Sequence, residues 1–371
     1  RINFIPGQSE QGSSLAADAY YRSSKKIGIT IGTSGPGILN FLQGMACSYF
    51  DSVPGLYIAG APVVNHLRKN KKIRQIGFQE MEVQNMVQPI CKYSTIVTKI
   101  EDLNYELEKC INIAFSGRKG PTLIEIPDDI SRMNMPKKIT HFQKKIKKDF
   151  KKVSYIKVKK LFIKSVRPLL VIGNGCLLSD SIKDCKKFIK KNKIPYTASW
   201  AAIHNFSSSD PLNMGSFGVA ATRYGNFAIQ KADLIIFLGT RLSTQMIGGN
   251  LSTFAPHAKK IIVDIDKEEF SSQRLPKIDL KLNYDVKNFL IDLNKIKLIK
   301  KNNLTKNWVK EMNLLKKNYP ILNKNNLKNK KFVDPYFFFD QFYLNIKKNS
   351  VVIPDASANL IWAYQTLKTD K

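Results

Sequence analysis

Short apolar runs of strand length recur along this chain, each followed by a stretch with helical periodicity. That alternation narrows the fold more than any other feature. Lys26 to Ile31, Gly55 to Ala59 and Pro121 to Ile126 read as buried strands. Between them Ile38 to Tyr49 reads as a helix with small residues on one face, and Glu101 to Phe115 as an amphipathic helix. The pattern returns with Pro168 to Ile172, Ile194 to Ala198, Leu234 to Leu238 and Lys260 to Ile265 as strands, and Ser179 to Asn192 as a basic helix. Strands that alternate with helices imply parallel sheets covered on both faces. The predicted class is therefore α/β, built from successive doubly wound parallel-sheet domains. A chain of 371 residues exceeds one ordinary core, so two or three domains are expected.

Composition shifts suggest the boundaries. Residues 1–135 form a first α/β unit, 136–164 a basic linker, 165–300 a central α/β unit and 301–330 a Lys/Asn-rich second linker. Residues 331–371 begin a third unit: Pro335 to Ile346 as a helix, Ser350 to Ile353 as a strand, and Asp355 to Asn359 as a turn leading into a helix. The chain starts without Met, inside an extended stretch, and stops just after the apolar Leu360 to Tyr364. It reads as a segment cut at both ends.

The net charge of +31 invites a nucleic-acid interpretation. Of the 60 basic residues, however, 50 are Lys and 10 are Arg, whereas base and phosphate contacts favour the Arg fork. The densest run, Pro136 to Lys164, holds twelve lysines against one acid, Asp149, and falls where a linker is expected. A solvated linker fits it better than an anionic partner, and no nucleic-acid partner is expected. No apolar run approaches the roughly 18 to 20 residues of a membrane helix. The five cysteines are scattered, with no Cys-x-x-Cys pair, and the four histidines show no metal-ligand spacing. A reducing, cytoplasmic setting is the default.

Several motifs carry chemistry. Ser9-Glu10-Gln11-Gly12 puts one carboxylate at a helix start, where the helix dipole alone would favour it. Thr33-Ser34-Gly35-Pro36-Gly37 is a glycine-rich turn between a strand and a helix, and Asn40 lies just inside that helix. Glycines there let backbone approach a flat ring or a phosphate; no Lys-Ser/Thr follows, so it is not a P-loop. Asp51-Ser52-Val53-Pro54, Gly77-Phe78-Gln79-Glu80 and Gly117-Arg118-Lys119-Gly120-Pro121 follow in order. In the central stretch Gly173-Asn174-Gly175 lacks the third glycine of a dinucleotide fingerprint, which weakens it as a Rossmann signature. Asp264 and Asp266 close a strand, where they could meet a ribose hydroxyl or cap a helix.

Taken together, these motifs resemble the thiamine-diphosphate enzymes of the acetolactate synthase type. The resemblance implies pyrimidine-binding, central and pyrophosphate-binding domains in that order. It also implies thiamine diphosphate as cofactor, a 2-keto acid substrate for decarboxylation or carboligation, and active sites between the subunits of a homodimer or homotetramer. Glu10 would hydrogen-bond the aminopyrimidine, which then removes the C2 proton of the thiazolium; an apolar pocket suits such a carboxyl, and Phe4-Ile5-Pro6 just before it fits that setting. Thr33, Gly35, Pro36 and Asn40 would line the ring, Phe78 would pack nearby, and Gln79 would contact substrate. Ala356, Ser357 and Asn359 would begin the diphosphate cradle, and the Mg2+ ligands would fall beyond Lys371.

The chain departs from that pattern in places. Ser9 stands where the family usually has His, and Ala358-Asn359 where it has Gln-His. The acetolactate synthases also bind FAD in the central domain. Gly173, Gly175, Gly239 and Arg241 correspond to flavin-contacting positions, with Asp264 as a possible nucleotide contact. Yet Gly218-Val219-Ala220-Ala221 replaces Gly-Met-His-Gly, and Arg241-Leu242-Ser243-Thr244-Gln245 replaces Arg-Phe-Asp-Asp-Arg. Asp128 stands for a Lys near the substrate channel. These changes count against FAD and leave two alternatives open: a related lyase or carboligase without flavin, or a non-catalytic nucleotide-binding relative.

Overall fold

The computed structural model describes residues 3–143, 155–296, 298, 303–322 and 331–369. Asp149 and much of the lysine run, together with the 323–330 part of the second linker, lie outside the described residues. The chain forms two compact units, Arg1–Lys148 and Asp149–Lys371.

In the first unit, helix α1 (Glu10–Ser24) leads to β1 (Gly28–Gly32), α2 (Pro36–Phe50) and β2 (Gly55–Ala61). Next come α3 (Val83–Val87), β3 (Tyr93–Ile96), α4 (Leu103–Phe115), β4 (Pro121–Pro127) and α5 (Asp128–Arg132). The sheet runs β1-β2-β4-β3 and all its pairings are parallel. Ser9 caps α1 by accepting a hydrogen bond from Gly12 N at 3.1 Å, satisfying a backbone donor that a helix start leaves free. Pro36 in the first turn suits α2, because the N–H it lacks would have no helical partner there. Asp51, from the Asp51–Pro54 motif, is structural: Arg22 donates to it at 2.8 Å and to Asp18 at 2.5 Å, tying α1 to the end of α2.

In the second unit, α6 (Tyr155–Lys164) precedes β5 (Pro168–Ile172), α7 (Asn174–Leu178), α8 (Ile182–Asn192) and β6 (Tyr196–Ala198). Then follow α9 (Arg223–Lys231), β7 (Leu234–Leu238), α10 (Thr244–Ile247), β8 (Lys259–Asp264), β9 (Leu280–Asn283) and α11 (Val286–Lys295). The sheet order is β6-β5-β7-β8-β9, again wholly parallel. One face is packed by Phe188 and Phe289, the other by Phe237 and Trp308, so β5 and β7 are buried at every residue. Both sheets are those of the expected α/β class.

Trp308 comes from α12 (Asn303–Asn318); it is 1% exposed and donates its Nε1–H to Pro168 O at 3.0 Å. We expect Trp308→Ala to cost about 3–5 kcal/mol of stability, read by urea unfolding; a loss below about 1 kcal/mol would contradict this packing. Helices α13 (Pro335–Asn345) and α14 (Ala358–Thr366) pack in the same unit, with Tyr364 stacked on Trp200 at 6.1 Å between ring centroids.

Three local expectations need correction. Ser350 to Ile353 is not a strand: it has no ladder partner among the described residues, and Val351 and Ile353 are 85% and 87% exposed. The helix expected from Ser179 starts at Ile182, because Asp180 turns left-handed (φ 54°) after the short α7. The edge strands β3 and β9 were not anticipated, since neither is an apolar run: Tyr93–Ile96 is only half-buried and Leu280–Asn283 alternates with exposed residues.

Candidate functional site

The chain turns sharply where β1 meets α2. Gly35 adopts φ +61°, and a Cβ there would overlap the carbonyl oxygen of Gln79. Only glycine fits both the backbone angle and that approach. The turn aims the first residues of α2 at the start of α1. A Cβ on Gly37 would stand 3.3 Å from Glu10 Oε1 and 2.7 Å from Thr33 Cγ2. Asn40, one turn further on, donates from Nδ2 to Glu10 Oε2 at 3.1 Å. Glu10, Thr33, Gly37 and Asn40 are thus brought together, with the Glu10 carboxylate near two helix N-termini. Glu10 is half-buried, while Phe4 and Ile5 are 83% and 95% exposed. The apolar setting expected from Phe4-Ile5-Pro6 is therefore not built by those side chains.

Gln79 faces the same turn. It takes φ +55°, a left-handed conformation uncommon outside glycine, and Phe78 beside it is 80% exposed. Ser34, Gly35, Gly60, Gln79, Glu80 and Glu125 are among the residues lining a cavity of about 410 Å³. It opens over the C-terminal ends of β2 and β4, where Ala59 pairs with Glu125. Open parallel sheets present their ligand groups at that end.

Glu125 was missed in the sequence, although a lone acid inside Pro121–Pro127 was a legible signal. Its side chain is buried, and burial pushes the carboxyl up to about 7; a hydrogen bond to Gln84 opposes the rise, Glu82 adds to it and Lys71 lowers it. The folded protein therefore holds this proton over a pH range in which the unfolded chain has lost it. Stability from Glu125 is full below about pH 4.5 and is lost as pH rises through about 7. We expect a Glu125→Gln variant to lose this slope and to gain up to about 3 kcal/mol at pH 8 relative to wild type. Urea unfolding from pH 5 to 8 measures it; parallel profiles for the two proteins would refute the assignment.

The second unit arranges its glycines differently. Gly175 N donates to Gly239 O at 3.0 Å, Gly173 N donates to Leu238 O at 2.9 Å, and a Cβ on Gly175 would lie 2.7 Å from Gly239 Cα. These bonds continue the β5–β7 pairing past the strand ends, and the glycines let the two loops that follow approach closely. Arg241 is exposed on the following loop. Asp264 accepts from Asp266 N, and Asp266 accepts from Glu268 N to cap the turn at 267–271, both at 3.0 Å. At the chain's end, Ala356 N donates to Asp355 Oδ1 at 2.7 Å, Ser357 turns left-handed (φ 78°), and α14 carries Asn359 in its first turn.

Among the described residues no helix is long and apolar enough to cross a membrane. No group of three or more His, Cys, Asp or Glu side chains there is placed to hold a metal ion.

Two parallel sheets, with a glycine turn and a carboxylate near the strand ends of the first, define an α/β class of fold that gathers ligand groups at those ends. Two family descriptions match the chain: "Thiamine pyrophosphate enzyme, N-terminal TPP binding domain" over residues 1–88, and "Thiamine pyrophosphate enzyme, central domain" over residues 156–293. The chain belongs to the thiamine pyrophosphate enzymes. It is 31% identical over 322 residues to acetolactate synthase 1, chloroplastic, of Zea mays, covering 84% of this chain and 49% of the relative. It is 29% identical over 380 residues to the acetolactate synthase large subunit of Cyanidium caldarium, covering 98% and 62%. The Porphyra purpurea large subunit is 34% identical over 287 residues, covering 75% and 47%. The chain thus spans about half to three-fifths of the length of the curated relatives it matches.

Proposed function

We propose that the protein is a thiamine-diphosphate-dependent enzyme that decarboxylates a 2-keto acid and joins the resulting fragment to a second carbonyl, the reaction type that its resemblance to the acetolactate synthases implies. One observation carries this above the others: Glu10, Asn40 and the Gly35–Gly37 turn converge where the resemblance places the aminopyrimidine. The residues fit the cofactor in their chemistry: the half-buried Glu10 carboxylate is joined to the Asn40 amide, beside a turn that carries no Cβ at Gly35 or Gly37. When bound, thiamine diphosphate supplies an electron sink for the carbanion left by decarboxylation.

The chain's own residues then divide the work. Glu10 would hydrogen-bond the pyrimidine ring nitrogen, with Asn40 orienting that carboxyl. Thr33, Gly35 and Pro36 would line the ring, Phe78 would pack near the thiazolium or substrate, and Gln79 would contact substrate. Ala356, Ser357 and Asn359 would offer backbone and amide groups to phosphate oxygens. Magnesium would serve as the counter-ion of the diphosphate, held by groups beyond Lys371. We place the pyrimidine-binding domain at 1–135, the central domain at 165–300 and the start of the pyrophosphate-binding domain at 331–371. A homodimer or homotetramer in the cytoplasm completes the proposal; the five unpaired cysteines suit a reducing compartment.

A second version, a lyase or carboligase without FAD, draws support from the departures at Gly218 to Ala221 and Arg241 to Gln245. Calorimetric titration of the full-length protein with thiamine diphosphate, with and without magnesium, plus an absorbance spectrum, tests both. Magnesium-dependent binding with a flavin band would favour an acetolactate synthase, and binding without the band the flavin-free version. Absence of binding would sink the enzyme.

A further inference from the structure

The Glu80 carboxylate has no part in the chemistry above, yet it makes a dense set of bonds. Its side chain is 7% exposed. Oε1 accepts from Arg68 N at 2.6 Å and pairs with Arg68 Nε at 3.2 Å. Oε2 accepts from Ile76 N at 3.0 Å and from Gly77 N at 3.3 Å. The Arg68 guanidinium in turn donates to Ile73 O at 2.7 Å and to Glu82 Oε1 at 3.0 Å. One carboxylate and one guanidinium therefore fasten both ends of the segment from Arg68 to Gly77. Bonds of this kind, with one member ionised and out of water, are the strong ones.

Gln79 sits immediately beside this fastening. Glu80 N donates to Gly77 O at 3.2 Å, closing a tight turn whose third residue, Gln79, is left-handed. A non-glycine residue stays in that conformation only where its surroundings over-determine it. Those surroundings are the bonds of Glu80 on one side and the Gly35 turn on the other.

We propose that Glu80 is a positioning residue: it clasps the Arg68–Gly77 segment and thereby holds Gln79 in its left-handed turn against Gly35, at the wall of the cavity. The role in turnover rests on the function proposed above; the clasp itself does not. In an isosteric Glu80→Gln variant the amide can accept through one oxygen only, and its NH2 faces backbone donors.

The test is hydrogen exchange of the full-length protein together with steady-state kinetics on pyruvate as the 2-keto acid probe. Glu80→Gln is expected to speed exchange at Arg68, Ile76 and Gly77 by about tenfold or more, with β2 and β4 unchanged. Its KM should rise with a smaller change in kcat, as expected if Gln79 contacts substrate. Arg68→Lys, which keeps the backbone bond to Glu80, should leave Ile76 and Gly77 protected. It is the second variant should Glu80→Gln fold poorly: protection lost at all three amides in Arg68→Lys would overturn the clasp. Unchanged exchange in Glu80→Gln would also overturn it, and loosened amides with unchanged KM would overturn the link to Gln79. A wild-type protein that binds no thiamine diphosphate would remove the proposed function, while the exchange measurement would still decide the clasp.

Discussion

A Gly35→Ala protein is expected to lose at least about 2 kcal/mol of stability and most of its affinity for thiamine diphosphate. Two costs add. Alanine at φ +61° is strained wherever it stands, and here its Cβ would also overlap the Gln79 carbonyl oxygen. That neighbour is backbone in a tight turn anchored by Glu80, so it cannot rotate aside as a side-chain tip could. The turn must shift instead, carrying Pro36, Gly37 and Asn40 away from Glu10. Urea unfolding and calorimetric titration measure the two losses. A variant within about 0.5 kcal/mol of wild type, the range of an ordinary surface change, would mean that the turn relaxes freely and positions nothing.

A Glu10→Gln protein is expected to behave oppositely: folding preserved, chemistry lost. Glutamine keeps an oxygen that can accept from Asn40 Nδ2, so the join between α1 and α2 persists. It cannot shift a proton as a carboxyl does, and removal of a positioned acid–base group costs turnover on the order of 10²- to 10⁴-fold. Circular dichroism and unfolding should match wild type while pyruvate turnover falls. Unchanged turnover would remove Glu10 from its proposed role and leave it as a helix-start carboxylate.

How legible was the site beforehand? Glu10, Thr33, Gly35 and Asn40 could be singled out because unusual residues cluster at the junctions of strands and helices, and such junctions have local signatures. The fold brings Glu10, Thr33 and Asn40 together around Gly37 and sets Gly35 against Gln79. The replacement of the family's His by Ser9 acquires a local reason too, because that hydroxyl caps α1. Arg68 and Glu125 were not found. Arg68 lies in a loop with no periodicity, and Glu125 is one acid within an apolar strand, whose burial is known only once β2 and β3 flank β4. For the central glycines, sequence spacing left a nucleotide contact open, and the structure sets the two loops that carry them side by side at the ends of β5 and β7.

The sequence by itself determined the α/β class, the buried strands β2, β4, β5, β7 and β8, and the glycine turn before α2. Hydrophobic periodicity and backbone strain are local properties that a chain carries wherever it folds. Only the tertiary structure decided the strand order, the edge strands β3 and β9, the Glu80–Arg68 clasp and the burial that raises the Glu125 carboxyl. Each depends on which distant segments exclude water from the same place, and electrostatics and hydrogen-bond partnership follow from that exclusion rather than from position along the chain.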